Sequence, residues 1–153
     1  MMNKIIMILN GPNLNLLGQR ETEVYGHKTL DDLKDICMKT VESSIFQIDF
    51  RQSNYEGELV QWVQECNNSN VAGLIINAGA YTHTSIALLD ALKTQKTHII
   101  ELHLSNIYRR EDYRSHSFIS EAANGIICGL GSIGYQLAIE AIIKLNQEKT
   151  KDK

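Results

Sequence analysis

The chain has 153 residues, 43% hydrophobic and 22% charged, with a formal charge of −3. That length suits one compact domain, folding with roughly 70% of its extended-chain surface buried. No stretch gathers Lys and Arg, which argues against a nucleic-acid partner, and no apolar run suits a signal peptide or a membrane span.

Lys4 to Asn10 is a continuous apolar run, the pattern of a strand buried on both faces. Thr29 followed by Asp32 forms a capping-box signature, and Leu30, Leu33, Cys37 and Val41 continue at helical spacing. Ile45 to Phe50 alternates, with Phe46, Ile48 and Phe50 on one face, as an edge strand does. Leu59, Trp62, Val63 and Cys66 form a second helical stripe, closed by Asn67-Asn68-Ser69-Asn70. Val71 to Asn77 is another buried strand, and Ile86, Leu89 and Leu92 mark a third helix, which Thr84 or Ser85 can cap. His98 to Leu104 and Ile126 to Cys128 read as strands, and Ile133 to Leu145 as the last helix. A single catalytic domain over 1–146 is expected, with 147–153 a polar, frayed tail. Cys37, Cys66 and Cys128 are odd in number and far apart, which fits reduced core thiols of a cytoplasmic protein without metal spacing.

Strands alternating with helices predict an α/β fold with right-handed crossovers and a parallel sheet covered on both faces. The amphipathic second strand belongs at an edge. This selects the flavodoxin-like, doubly wound five-stranded order 2-1-3-4-5, with a ligand site beyond the carboxyl ends of the strands.

The residues after those ends are unusual. Asn10 to Gly26 is long for a strand-to-helix loop, where about two to six residues are common. It carries Arg20 and Tyr25. Tyr25 can be a surface aromatic, or a base activated by the nearby guanidinium, since free tyrosine titrates near roughly pH 10. Asn77 to Ser85 carries His83, either a capping or packing histidine or a hydrogen-bond partner of a hydroxylated ligand. Glu101 and His103 lie two apart in a strand and point the same way. The pair is either a satisfied strand end or a general acid held by a carboxylate. Tyr108 to Arg114 adds three arginines, a solvated face by default, one of which can fork onto a hydroxyl or anion. Gly129, Gly131 and Gly134 match G-x-G-x-x-G, but no later strand completes the βαβ unit, so a tight turn is the better reading. No lysine sits at the carboxyl end of a predicted strand to form an imine.

Together, NGPNLNLLGQRE…YG, QSNYEGELV, INAGAYTHTS, ELHLSN…RREDYRSHS and GLGSIGYQLA resemble the type II 3-dehydroquinate dehydratases, from Ile5 to about Leu145. The resemblance implies dehydration of 3-dehydroquinate to 3-dehydroshikimate by anti elimination through an enolate, a reaction of the shikimate pathway and of quinate catabolism. It implies Tyr25 as the base, Arg20 as its activating cation, Asn13 holding a water at the enolate oxygen, and His103 as the acid backed by Glu101. Asn77 and the backbone of Leu104 and Ser105 would hold the carboxylate; His83 and Arg114 would hold ring hydroxyls. Asp90 would reach a neighbouring subunit's site in a homododecamer built from trimers. No metal or cofactor is implied. Thr22 and Ala78 depart from the family's prolines, the first of which is expected to loosen the loop over the site. A flavin-binding electron carrier would share the fold, but the first loop lacks a Ser/Thr-rich phosphate cradle. A phospho-receiver domain would need acids where Asn10, Gly11 and Asn77 stand.

Overall fold

The computed structural model describes residues 3–68 and 70–151. Strands β1 (Lys4–Asn10), β2 (Phe46–Gln52), β3 (Val71–Asn77), β4 (His98–His103) and β5 (Gly125–Cys128) form one parallel sheet in the order β2-β1-β3-β4-β5. The predicted order and the edge position of β2 are borne out. The helices are α1 (Thr22–Tyr25), α2 (Leu30–Thr40), α3 (Glu56–Glu65), α4 (Ile86–Lys93) and α5 (Ile133–Lys151).

The alternation of side chains along each strand divides the core into two layers. Ile6 and Ile8 of β1, Ile75 of β3 and Ile100 and Leu102 of β4 face α2 and α5, where Leu33, Cys37, Ala138, Ile139 and Ile142 meet them. Met7 and Leu9, Leu74 and Ile76, and Ile99 face the other way, against Leu59 and Val63 of α3 and Leu88 and Leu92 of α4. The central strands are therefore apolar on both faces, while β2 shows a half-buried pattern. The Thr29–Asp32 capping box opens α2 with both reciprocal hydrogen bonds.

Three sequence expectations are corrected. α5 does not stop at Leu145 but runs to Lys151. Gln, Glu and Lys are strong helix formers despite their polarity, Lys149 and Lys151 complement the negative end of the helix dipole, and Asn146 donates to the Ala72 and Ile142 carbonyls. Asp152 and Lys153 of the expected tail lie outside the described residues, as does Ser69 of the turn closing α3. Ile86 is 56% exposed, so the buried face of α4 is built from Leu88, Leu89, Ala91 and Leu92; of the two expected caps, Ser85 is the one used. Cys37 and Cys66 are buried thiols, each pushed by burial up to about 12, but Cys128 is only partly covered. No described helix is long and apolar enough to cross a membrane.

At the point where the strand order reverses, the chains leaving β1 and β3 run against each other. The Gly11 N–H donates to the Asn77 carbonyl at 2.8 Å, and any side chain on Gly11 would overlap the backbone of Ala78. Because the obstacle is backbone, it cannot swing aside. Gly11→Ala is expected to cost about 1–3 kcal/mol, seen as a lower urea midpoint. Gly57→Ala, on the exposed first turn of α3 with open space around it, should leave the midpoint level or slightly raised. Equal midpoints in the two variants would contradict this packing.

Candidate active site

Three loops at the carboxyl ends of β1, β3 and β4 enclose a cavity of about 270 Å³. Asn13, Arg20, Tyr25, Asn77, His83, His103, Leu104, Ser105 and Arg114 all line it, so nine of the eleven residues singled out from the sequence meet there. Glu101 lies directly behind His103. Asp90 does not join them: it is exposed on α4, away from the cavity.

The first loop is not structureless. Leu14 and Leu17 are buried and pin its first half to the core, and Asn13 adopts a left-handed conformation (φ 67°) that asparagine tolerates. The Asn13 N–H donates to Asn54 Oδ1 at 2.9 Å, and Tyr81 donates to the Asn54 carbonyl at 2.7 Å, which gives the NYEG segment after β2 its role. Thr22 opens α1, the short turn that carries Tyr25 over the cavity.

Arg20 lies over the face of the Tyr25 ring, 5.3 Å from its centroid, and pairs with Glu21. The hydroxyl of Tyr25 instead accepts from Arg110 Nη1 at 2.9 Å. Arg110 also reaches Ser105 Oγ at 3.3 Å and holds the ring from its other contact at 5.2 Å. The sequence reading missed Arg110. It stands among three arginines with no spacing rule to separate them, and only the fold of residues 107–114 decides which one turns inward. Arg114 is held by Glu111 at 2.9 Å.

Asn77 is fixed from behind. Its Nδ2 donates to the Tyr135 hydroxyl at 3.1 Å, which donates to Asn10 Oδ1 at 2.6 Å, and Asn10 Nδ2 donates to the Arg51 carbonyl. One of the two N–H groups of Asn77 remains for the cavity. His83 Nδ1 donates to the His116 carbonyl at 2.7 Å, so Nε2 is the free nitrogen. Burial lowers the His83 pKa, only partly offset by that hydrogen bond, and favours a neutral ring.

His103 Nε2 meets Glu101 Oε1 at 2.7 Å. Glu101 is fully buried, and burial alone would push its carboxyl up. Hydrogen bonds from His103, Ser117 and Ser120 outweigh that and hold it below the usual carboxylate value. Ser117 and Ser120 were also invisible in the sequence, because they fold back onto β4 from a turn-rich segment. Among the described residues, the wall of the cavity thus presents Arg20, Arg110 and Arg114 and no carboxylate. Such a site suits a small hydroxylated anion, and the phenol of Tyr25 on its loop and the imidazole of His103 at the end of β4 are groups able to transfer protons. The glycines after β5 form a tight turn, as expected: the N–H groups of Gly129 and Gly131 are already bonded to the His103 and Leu104 carbonyls.

The carboxylate has a consequence for acid stability. Its folded pKa is depressed, so its contribution is complete above the unfolded value near 4.5 and disappears as pH falls through the folded value. Glu101→Gln should therefore be less stable than the parent near neutrality, and the gap should close below that value. Urea midpoints measured from pH 7 to pH 3 test this; a pH-independent gap would contradict it.

The sequence matches the family model described as dehydroquinase class II over residues 4–143. It is 48% identical to the 3-dehydroquinate dehydratase of Brucella abortus (strain S19) over 151 residues, 99% of this chain and 96% of that one. It is 49% identical to 3-dehydroquinate dehydratase 2 of Pseudomonas aeruginosa over 139 residues, 91% of this chain and 93% of that one. The crystal structure of the type II dehydroquinase from Butyrivibrio crossotus superposes with a TM-score of 0.88 at 38% identity, covering 92% of this chain and 97% of that chain.

Proposed function

The chain belongs to the class II dehydroquinase family, and we propose that it dehydrates 3-dehydroquinate to 3-dehydroshikimate by anti elimination through an enolate. The reaction serves aromatic biosynthesis, and quinate breakdown uses the same step. The observation that carries this reading is the meeting of Tyr25 and His103 at one cavity whose walls hold three arginines and no carboxylate.

Tyr25, as phenolate, removes the C2 proton. Arg110 sits at the phenol oxygen and Arg20 on the ring face, so cations surround the place where charge is exchanged. Negative charge then builds on the carbonyl oxygen, where Asn13 holds a water. A preorganised donor at that oxygen acts on the transition state more than on the ground state. His103, with Nε2 on Glu101, offers Nδ1 to the leaving C1 hydroxyl, which departs as water. Asn77 and the backbone of Leu104 and Ser105 hold the carboxylate. The free Nε2 of His83 and the guanidinium of Arg114 hold ring hydroxyls. No step here uses a cofactor.

The test is absorbance of the conjugated enone formed when metal-free protein meets 3-dehydroquinate. Parent protein should turn over. Tyr25→Phe should lose activity by at least the 10²–10⁴-fold that a general base typically supplies, roughly, while keeping its fold. Turnover within a few-fold of the parent would remove Tyr25 from the role.

The proposed active form is a homododecamer of trimers in which Asp90 completes a neighbour's site. Support comes from the family and from distance along α4. Asp90 sits five residues after Ser85, roughly 7–8 Å along the helix at about 1.5 Å per residue, and is exposed away from its own cavity. Ile86 beside it and Ile133 are 56% and 57% exposed, apolar surface suited to a partner copy. Light scattering and activity should fall together under mild denaturant. A fully active monomer of 17.3 kDa would overturn both the assembly and the role of Asp90.

A further inference from the structure

We propose that Ser117 and Ser120 are positioning residues for the acid step: they keep the proton shared by Glu101 and His103 on the histidine, so that the ring is a cation when the hydroxyl leaves. The inference rests on the reading of His103 as the general acid.

Glu101 Oε1 accepts from His103 Nε2 at 2.7 Å and from the Ser117 hydroxyl at 2.6 Å, and Oε2 accepts from the Ser120 hydroxyl. Ser117 Oγ in turn accepts the Ser120 N–H at 3.1 Å. One of the two lone pairs of Ser117 is therefore occupied, and its hydroxyl donates its one proton to the carboxylate. Neither serine lines the cavity, so both act through Glu101.

Two arrangements of the pair contain the same atoms and the same total charge. In the first, Glu101 is a carboxylate and the ring carries protons on both nitrogens. The Nδ1–H facing the substrate is then that of an imidazolium, a competent acid. In the second, one proton has crossed from Nε2 to Oε1. The ring is then neutral, and its remaining Nδ1–H is a far weaker acid. Three donors converging on two oxygens suit a carboxylate, whereas a carboxylic acid must donate one hydrogen itself. Each serine therefore favours the first arrangement. The surroundings make this bias necessary. Arg110 and Arg114 line the same cavity, His83 faces the pair across it, and Cys128 is the neighbour of His103 on β5. The guanidiniums oppose another cation, the neutral His83 and Cys128 do not help one, and Glu101 is the acid bonded to the ring.

The experiment compares parent, Ser117→Ala, Ser120→Ala and the double variant in kcat and KM against pH. Loss of kcat should be roughly tenfold for each serine and 10²-fold for both, inside the range a general acid supplies, with KM within about twofold. The alkaline limb of kcat should move to higher pH. Without the serines the pair holds its proton longer, but holds it on the carboxyl. Ser120→Thr, which retains the hydroxyl, should bring the limb back. Infrared spectra near neutral pH should show a protonated-carboxyl band in the double variant, absent from the parent and abolished by adding Glu101→Gln. If the double variant does not fold, the single variants carry the same measurements at smaller size. A fall in kcat with an unmoved limb, or the absence of the carboxyl band, overturns the proposal. Lack of turnover in the parent would instead overturn the functional reading, and the infrared band would still report where the proton sits.

Discussion

A fully buried carboxylate at the end of β4 is the constraint around which this site is organised. A lone ionised carboxylate in an apolar interior is very unfavourable, so Glu101 must be surrounded by donors. His103 supplies one from its own strand, and the rest come from the segment after Arg114, which folds back over the sheet end. That return places the His116 carbonyl where His83 Nδ1 donates to it and the Phe118 N–H where Thr82 accepts it. Ile119 becomes fully buried on the α4 side. One strap thus joins the loops after β3 and β4, and the orientation of both cavity histidines follows from satisfying one charge.

The side of the cavity that carries Tyr25 is built on a different principle. Its fixed part is the close approach of Gly11 to Ala78 and the Asn10–Tyr135–Asn77 chain beneath it, all buried. Beyond the buried Leu17, the loop carrying Arg20 and Tyr25 is held by the partly buried Tyr25 ring and by Arg110, which donates to its hydroxyl and lies about 5 Å from the ring. Contacts of that kind are individually weak and partly solvated. The imidazole of His103 is therefore set at the end of the rigid sheet and the phenol of Tyr25 on a loop.

What the sequence made legible follows from how local each signal is. Alternation in Phe46, Ile48 and Phe50 located the edge strand, and the Thr29–Asp32 pair located a helix start, because both patterns depend only on neighbours in the chain. The three loops were readable because the fold class itself predicts where a ligand sits. Arg110 was not, since choosing among Arg109, Arg110 and Arg114 requires the path of two short turns. Ser117 and Ser120 were not, since their partner is a distant strand. The reach of α5 to Lys151 was hidden by its polar composition, which marks solvent exposure and not loss of helix. In each case the missing information is tertiary.

The placement of Glu101 also resolves a conflict within the site. On the proposed reading of His103 as the acid, an anion site benefits from Arg20, Arg110 and Arg114, while the same cations disfavour a protonated ring among them. A carboxylate in the cavity wall would support the imidazolium and repel the ligand at once. Set behind His103, at 2.7 Å from Nε2 and shielded from the cavity by the ring itself, Glu101 supports the cation at short range while presenting no charged oxygen to the ligand. Burial strengthens that short-range attraction because little water screens it. Such burial is tolerable only because other donors satisfy the carboxylate, and for that reason the strap of residues 116–120 belongs to the electrostatics of the site as much as to its packing.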